Sequence, residues 1–248
     1  MTRQAHEIAH GRHLAESGAH SVWNWASPAG RRRWARRAAW LSGQIRAKER
    51  VLELGCGTGL LTRELLNRGA RVTALDISPD LLALAARDLH GVPVDWIQGD
   101  ACNTGLPARE YDWVVGSSVL HHLDLTAALA ELIRVLKPGG WIRFTEPNML
   151  NPQIAVQKNV PAIKRWLGDS PDETAFVRWH LARALRQQGF ESVALTPFDF
   201  LHPAIPGFAV GAVEAVAAAL ERVPLLREIA GSLMIEARTP RDPEWSRR

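Results

Sequence analysis

Cysteine is scarce in this chain. Cys56 and Cys102 are the two in 248 residues, too few for a disulfide framework. Long hydrophobic runs are missing as well, since none approaches the roughly 18 residues that cross a bilayer. Met1 to His13 lacks the apolar centre of a secretory signal, so a cytoplasmic location is expected. Internal repeats, low-complexity tracts and long linkers are absent too, which argues for a single domain over residues 1–248. With 46% apolar residues, that length suffices to bury a full core.

What is present starts with Glu53-Leu54-Gly55-Cys56-Gly57-Thr58-Gly59. Its three glycines alternate between an apolar strand, Val51 to Leu54, and a helix opening at Leu60. Glycines at such a junction permit positive φ and let a ligand lie against the main chain, where the helix N-terminus offers free N–H groups. A dinucleotide site wants G-x-G-x-x-G, and its third glycine would fall on Leu60. The pattern here is G-x-G-x-G behind an acid. It resembles motif I of the class I S-adenosylmethionine-dependent methyltransferases.

Further pieces of that family's pattern follow in order. Asp76 ends a second apolar strand, Arg71 to Leu75, 21 residues after Gly55, where a carboxylate can accept from both hydroxyls of a ribose. Gly99-Asp100 closes a third strand, Val94 to Gln98, where the family places an acid near the adenine amino group. Asp112 to Gly116 reads as strand four, and Leu136 to Gly140 as the turn before strand five, Trp141 to Thr145. The similarity is to the small-molecule branch, the kind that methylates quinones and natural products, and it covers Arg50 to Glu146. It implies S-adenosylmethionine as cofactor, with Glu53, Gly55, Cys56, Gly57, Gly59, Asp76, Ile77, Asp100, Ala101 and Ser117 as the binding residues. Glu53 stands alone among apolar neighbours and needs a hydrogen-bond partner. A role near the methionine amino group or in the loop backbone would supply one. Cys56 is expected to meet the cofactor through its backbone.

Methyl transfer from a sulfonium depends mostly on positioning and desolvation. A base is needed only where the acceptor must lose a proton. His121 and His122, just after strand four, are the candidates, because neutral imidazole suits a phenol or enol near pH 7. In an extended stretch neighbours point opposite ways, so at most one of the two should face the pocket. Glu146, Asn148 and Asn151 after strand five, and His202 further on, are candidates to read polar atoms of the acceptor, although turn chemistry also explains the asparagines. Departures from other branches narrow that acceptor. Ser117-Ser118-Val119-Leu120 replaces the Asn/Asp/Ser-Pro-Pro-aromatic run of amino-methylating DNA enzymes. Residues 116–126 hold none of the glutamates of protein arginine methyltransferases, and only Asp124 is close enough to suggest the acid cluster of metal-dependent catechol enzymes. A small apolar or aromatic acceptor offering O, C or N remains, with nucleic acid disfavoured and no metal expected.

Charge is uneven. Ten Lys or Arg stand against three Glu in the first 50 residues, about +7, which leaves about −3 for the rest of a chain whose net charge is +4. Arg31-Arg32-Arg33, Arg36 and Arg37 interleave with Trp34, Ala38, Leu41 and Ile45 at helical spacing, describing an amphipathic helix whose basic face is solvated. Peripheral contact with a membrane or docking of another anionic partner stays open. A second reading of function follows from this: a non-catalytic S-adenosylmethionine-binding or regulatory module docked through that helix. Tryptophans at 23, 25, 34 and 40 add apolar bulk for a lid. His6-Glu7-Ile8-Ala9-His10 matches the H-E-x-x-H zinc signature, but at a chain end without a supporting shell it is not expected to hold a catalytic metal.

The rhythm of strands near 51–54, 71–75, 94–98, 112–116 and 141–145 with helices near 60–68, 80–89 and 124–135 predicts an α/β fold with a doubly wound, mostly parallel sheet. The resemblance makes it seven-stranded and Rossmann-like. Residues 50–146 form the cofactor core. A helix near 174–188, a strand near 191–196, a helix near 208–222 and a final strand within 231–239 follow. Residues 1–45 and the inserts 147–173 and 198–230 are expected to cap the acceptor pocket.

Overall fold

The computed structural model of the chain describes residues 2–18, 24–166, 170 and 173–241. Trp23 and part of the first insert lie outside the described residues. Two helices, α1 (Arg3–Ser17) and α2 (Pro28–Ser42), precede the first strand. Then β1 (Arg50–Leu54), α3 (Leu60–Asn67), β2 (Arg71–Asp76), α4 (Pro79–Asp88), β3 (Val94–Gln98) and β4 (Tyr111–Ser117) follow. One 3-10 turn, Leu120–His122, leads into α5 (Leu125–Val135) and β5 (Leu136–Pro147). Beyond β5 come α6 (Pro152–Asn159), α7 (Pro161–Trp166), α8 (Arg178–Gln187), β6 (Glu191–Phe198), α9 (Val210–Leu220), α10 (Pro224–Arg227) and β7 (Ser232–Arg238). No helix among the described residues is long and apolar enough to cross a membrane.

Short polar residues start the helices. Thr2, Ser27, Ser78, Asp124 and Asn151 each accept a hydrogen bond from the backbone N–H three residues on, opening α1, α2, α4, α5 and α6. Pro28, Pro79 and Pro152 occupy first-turn positions where a missing N–H costs nothing. The seven strands form one sheet in the order β3-β2-β1-β4-β5-β7-β6, with β7 antiparallel to both neighbours. Side-chain alternation feeds two cores. Leu52, Leu54 and Val114 pack with α5 and α8 on one face, whereas Val51, Val72 and Val115 pack with Leu41, Leu61 and Leu65 on the other. Strand order reverses between β1 and β4, and that reversal opens a crevice at their C-terminal ends.

Three boundaries differ from the spacing argument. Leu136 to Gly140 is the beginning of β5, not a turn before it, because Leu136 already pairs with Tyr111 and a register shift before Trp113 absorbs the extra residues. The helix predicted from 174 starts at Arg178. Residues before it are held extended, as Thr174 N donates to His121 O and Phe176 N to Pro147 O. The helix expected from 208 starts at Val210, after a single 3-10 turn.

Helix α1 packs on α4, Leu14 against Leu81. The approach is tight at Gly11, where an added Cβ would lie 2.5 Å from both Cβ and Oγ of Ser78. In a free helix Gly→Ala gains roughly 0.5–1 kcal/mol. Here Gly11→Ala is expected to lower the melting temperature and to speed amide exchange across residues 3–17. An unchanged melting temperature with unchanged exchange would show that this contact does not hold α1 down.

Candidate active site

The loop after β1 wraps around a carboxylate. Gly57 N donates to Asp76 Oδ2 at 2.8 Å and Ser78 N to Asp76 Oδ1 at 2.9 Å, while Cys56 N is tied to Leu75 O. Gly55 takes φ +64°, and a Cβ there would strike Val119 at 2.7 Å, so this turn needs glycine for packing as well as for conformation. Asp76 is buried, and burial pushes its carboxyl up despite the hydrogen bonds from Ser78 and Gly57. Each oxygen has used one lone pair and keeps another. Beside it the Thr58 hydroxyl is buried without a hydrogen-bond partner on the wall of the same cavity, a polar atom left for a ligand.

Glu53 points into this cavity from β1 and accepts from Thr62 Oγ1 at 2.6 Å. Burial raises its pKa to about 8, with Asp76 adding to the rise and Thr62 opposing it. Asp100 accepts from Cys102 N and, at 2.7 Å, from Gln4 of α1. Ile77, Ala101 and Ser117 complete this part of the wall. Cys56 lines it as well, and burial pushes its thiol well above the ordinary range, which leaves the sulfur unreactive.

On the far side of β4, Ser118 adopts φ +58°, which turns the chain so that Val119 N and Leu120 N both donate to Glu146 Oε1, at 3.0 and 2.8 Å. The other oxygen of Glu146, which has no exposed surface, lies 2.6 Å from His121 Nδ1. His121 Nε2 lies 3.3 Å from Glu173, itself paired with Lys158. Burial alone would depress the His121 pKa, but the Glu146 and Glu173 carboxylates outweigh it and hold it at about 9. Burial likewise opposes the ionised form of Glu173, and its pKa is nonetheless held far below the usual range by the His121 hydrogen bond and by the charges of His122, His121 and Lys158. His122 Nδ1 lies 2.9 Å from Glu7 of α1, and the two histidine rings are 4.2 Å apart. All of these residues except Leu120 and Glu146 line one cavity of about 790 Å³ that also contains Gly55, Cys56, Gly57 and Thr58 of the glycine loop, whereas Gly59 faces Leu89 and Ala85 and does not line it.

The methyltransferase-domain family profile matches residues 52–144. The chain is 40% identical over 104 residues to a malonyl-[acyl-carrier protein] O-methyltransferase of Serratia marcescens, covering 42% of this chain and 40% of that one. It is 31% identical over 191 residues to a ubiquinone biosynthesis O-methyltransferase of Burkholderia pseudomallei, covering 70% of this chain and 78% of the relative. The chain belongs to the class I S-adenosylmethionine-dependent methyltransferase family. Elsewhere it spans about half the length of the curated relatives it matches. The N-methyltransferase NodS of Bradyrhizobium japonicum, solved with S-adenosylhomocysteine, shares the family fold with a TM-score of 0.58 at 18% identity over 86% of this chain and 89% of NodS.

Several placements depart from the residue-by-residue expectation within this family. His121 and His122 are not in an extended stretch. The 3-10 turn brings both rings to the cavity, so the alternation argument fails there. Glu146 and Asn148 do not face an acceptor. Both oxygens of Glu146 are engaged, and buried Asn148 donates to Glu228 O and Ala230 O and accepts from Leu150 N. Asn151 caps α6 at the rim, while His202 does line the cavity, within 3.0 Å of Gln153. Asp124 is a helix cap. The acids near the histidines are Glu7, Glu146 and Glu173, which come from distant segments with no local signal linking them to His121.

The metal question also changes. The H-E-x-x-H helix end is packed rather than frayed: Glu7 meets His122 and Ser170, and the His10 ring stacks 6.5 Å from His122. Ligand atoms of His121, His122 and Glu173 lie within 4.8 Å of one another, so a group able to hold a metal does exist where none was expected. The Lys158 ammonium already sits on Glu173 in that group. The basic face of α2 is solvated only in part: Arg31, Arg32 and Arg36 are exposed, Arg33 is half-buried and Arg37 is buried. Arg37 is buried against Asp199 and Ser232, Arg33 also bonds Asp199, Arg36 pairs with Glu221 and Arg32 with Glu214. Four of the five arginines thus have an acidic partner within the chain.

A group whose folded pKa lies above its unfolded value stabilises fully below the unfolded pKa and loses that contribution as pH rises through the folded one. For His121 the window is 6.5 to about 9, and the contribution is at most roughly 3 kcal/mol. Unfolding free energy is therefore expected to fall across that window, and His121→Gln should flatten the slope, as measured by denaturant titration at several pH values.

Proposed function

We propose that this chain transfers a methyl group to O, C or N of a small apolar or aromatic acceptor by in-line displacement. The observation that carries the reading is that one continuous cavity joins Gly55 and Gly57 of the glycine loop, Asp76 and Asp100 to the His121–His122 pair. Its volume lies toward the upper end of the roughly 300–1,000 Å³ usual for ligand sites, which suits a cofactor and an acceptor together. S-Adenosylmethionine, when bound, supplies a methyl group on a sulfonium centre. The residues present fit it: the free lone pairs of Asp76 suit a ribose diol, Asp100 lies at the end of the same sheet edge, and the orphaned Thr58 hydroxyl awaits a partner. Glu53 is largely neutral at pH 7 and ionises more readily beside a cation.

The other half of the cavity handles the acceptor. Helices α1 and α2, with the segments after β5 and β6, form the cap that excludes water and positions the nucleophile. His121 is oriented by Glu146, which fixes the ring through Nδ1 and leaves Nε2 toward the cavity. With a pKa of about 9 it rests as an imidazolium between two carboxylates. An acceptor hydroxyl that displaces Glu173 from Nε2 removes one of those charges and lowers that pKa, so the ring gives up its Nε2 proton to solvent and, once neutral, accepts the proton of the acceptor hydroxyl.

Three outcomes test this. Asp76→Ala should weaken S-adenosylmethionine binding in calorimetry by on the order of tenfold or more, the loss of a charge-assisted ribose contact. The affinity of the wild type should rise as pH increases through about 8, with Glu53→Gln removing the dependence. In an acceptor screen, His121→Asn should cost about 10²–10⁴ in rate. There kcat/KM should climb toward pH 9, and Glu173→Gln should move that rise to lower pH, since one stabiliser of the imidazolium is gone. A pH profile that ignores Glu173 would remove His121 from the role of base.

A further inference from the structure

We propose that the acceptor is a carboxylic acid with an aromatic or apolar body, its carboxylate held by Arg33 and Arg37 on the α2 wall of the cavity. This rests on the methyl-transfer reading above and adds the acceptor's charge to it.

The charge pattern of that wall is unbalanced. Arg33 Nε and one terminal nitrogen of Arg37 converge on a single oxygen, Asp199 Oδ2, at 2.9 and 2.8 Å. Two guanidiniums thus share one carboxylate, in a place where Arg37 is 3% exposed and the Arg33 side chain 16%. The neighbouring acids are committed elsewhere: Glu221 is bonded through both oxygens by Arg36, and Glu146 by His121 and two backbone N–H groups. One positive charge is left without a counter-charge beside the cavity, and an uncompensated charge in such surroundings is costly. Burial and the like charge of Arg33 depress even the Arg37 guanidinium to about 10.

Free donors accompany the free charge. Both terminal nitrogens of Arg33 lack a hydrogen bond to any described residue and are the donors a ligand can reach; Arg37 Nε is unpaired as well but has essentially no exposed surface, so Arg37 contributes its charge. Arg33, Arg37, Asp199 and His202 all line the cavity. A planar fork with two open N–H groups matches a carboxylate bidentately. The wall beside it is aromatic: Trp25 lies 5.6 and 5.8 Å from the two guanidiniums and packs tilted against Trp34 at 5.5 Å. Such a surface accepts a flat apolar body attached to the acid.

The test compares 4-hydroxybenzoate, 4-hydroxyphenylacetate and 4-hydroxycinnamate with their methyl esters, by calorimetry on the protein with and without saturating S-adenosylhomocysteine. At least one acid should bind about tenfold more tightly than its ester. Arg33→Met should abolish that preference and Arg33→Lys should keep part of it, while S-adenosylhomocysteine affinity stays as in the wild type. Esters that bind as well as the acids would overturn the proposal. So would a panel in which no acid binds, or a preference that survives Arg33→Met. Should Arg33→Met fail to fold, the wild-type comparison and Arg33→Lys still decide. Failure of S-adenosylhomocysteine to bind would count against the methyl-transfer reading alone, because the acid-to-ester ratio on the unloaded protein judges the anion site separately.

Discussion

A carboxylate with no exposed surface, Glu146, holds the centre of the structure together. At the end of β5 it accepts two backbone N–H groups from the turn after β4 and meets the ring of His121. Such a group could not be buried unless several donors met it, and each of those donors is fixed in turn by meeting it. The left-handed Ser118, the 3-10 turn and the presentation of both histidines to the cavity follow from that one satisfied acid. The same pairing keeps His121 charged at neutral pH, so orientation and proton affinity have one cause.

Around this centre the cavity is lined on one side by the part of the chain that comes first. Gln4 bonds Asp100, Glu7 faces His122, and Arg33 and Arg37 bind Asp199, each across about a hundred residues or more. These contacts are polar and partly or wholly buried, and they sit on helices held by a few tight approaches such as Gly11 on Ser78. Acids dominate near the glycine loop, whereas cations dominate near α2, so opposite ends of one cavity favour ligands of opposite charge.

The sheet was legible because its signals are local. Strand β1, the three glycines, Asp76 at the end of β2 and the Ser78-Pro79 cap lie within 30 residues, and each element's period or turn chemistry is written in adjacent positions. The seven-stranded order came from the family resemblance, not from periodicity. The neighbourhood of the histidines was not legible in the same way. Glu7, Lys158 and Glu173 belong to segments with no motif linking them to His121, and Thr62 looks like any helix residue until it meets Glu53. Counting only acids close in sequence left Asp124, which is a helix cap.

By itself the sequence determined the family, the parallel sheet and the loop that cradles a ligand, since backbone conformation there depends on which residues are adjacent. Only the tertiary structure decided which charges are spent and which are free. Arg37 reads as a surface residue from its spacing, yet it is buried, and Glu146 reads as a candidate ligand reader, yet both its oxygens are engaged. The physical reason is that the worth of a charged group depends on burial and on partners brought together from distant parts of the chain, and neither is encoded in local pattern.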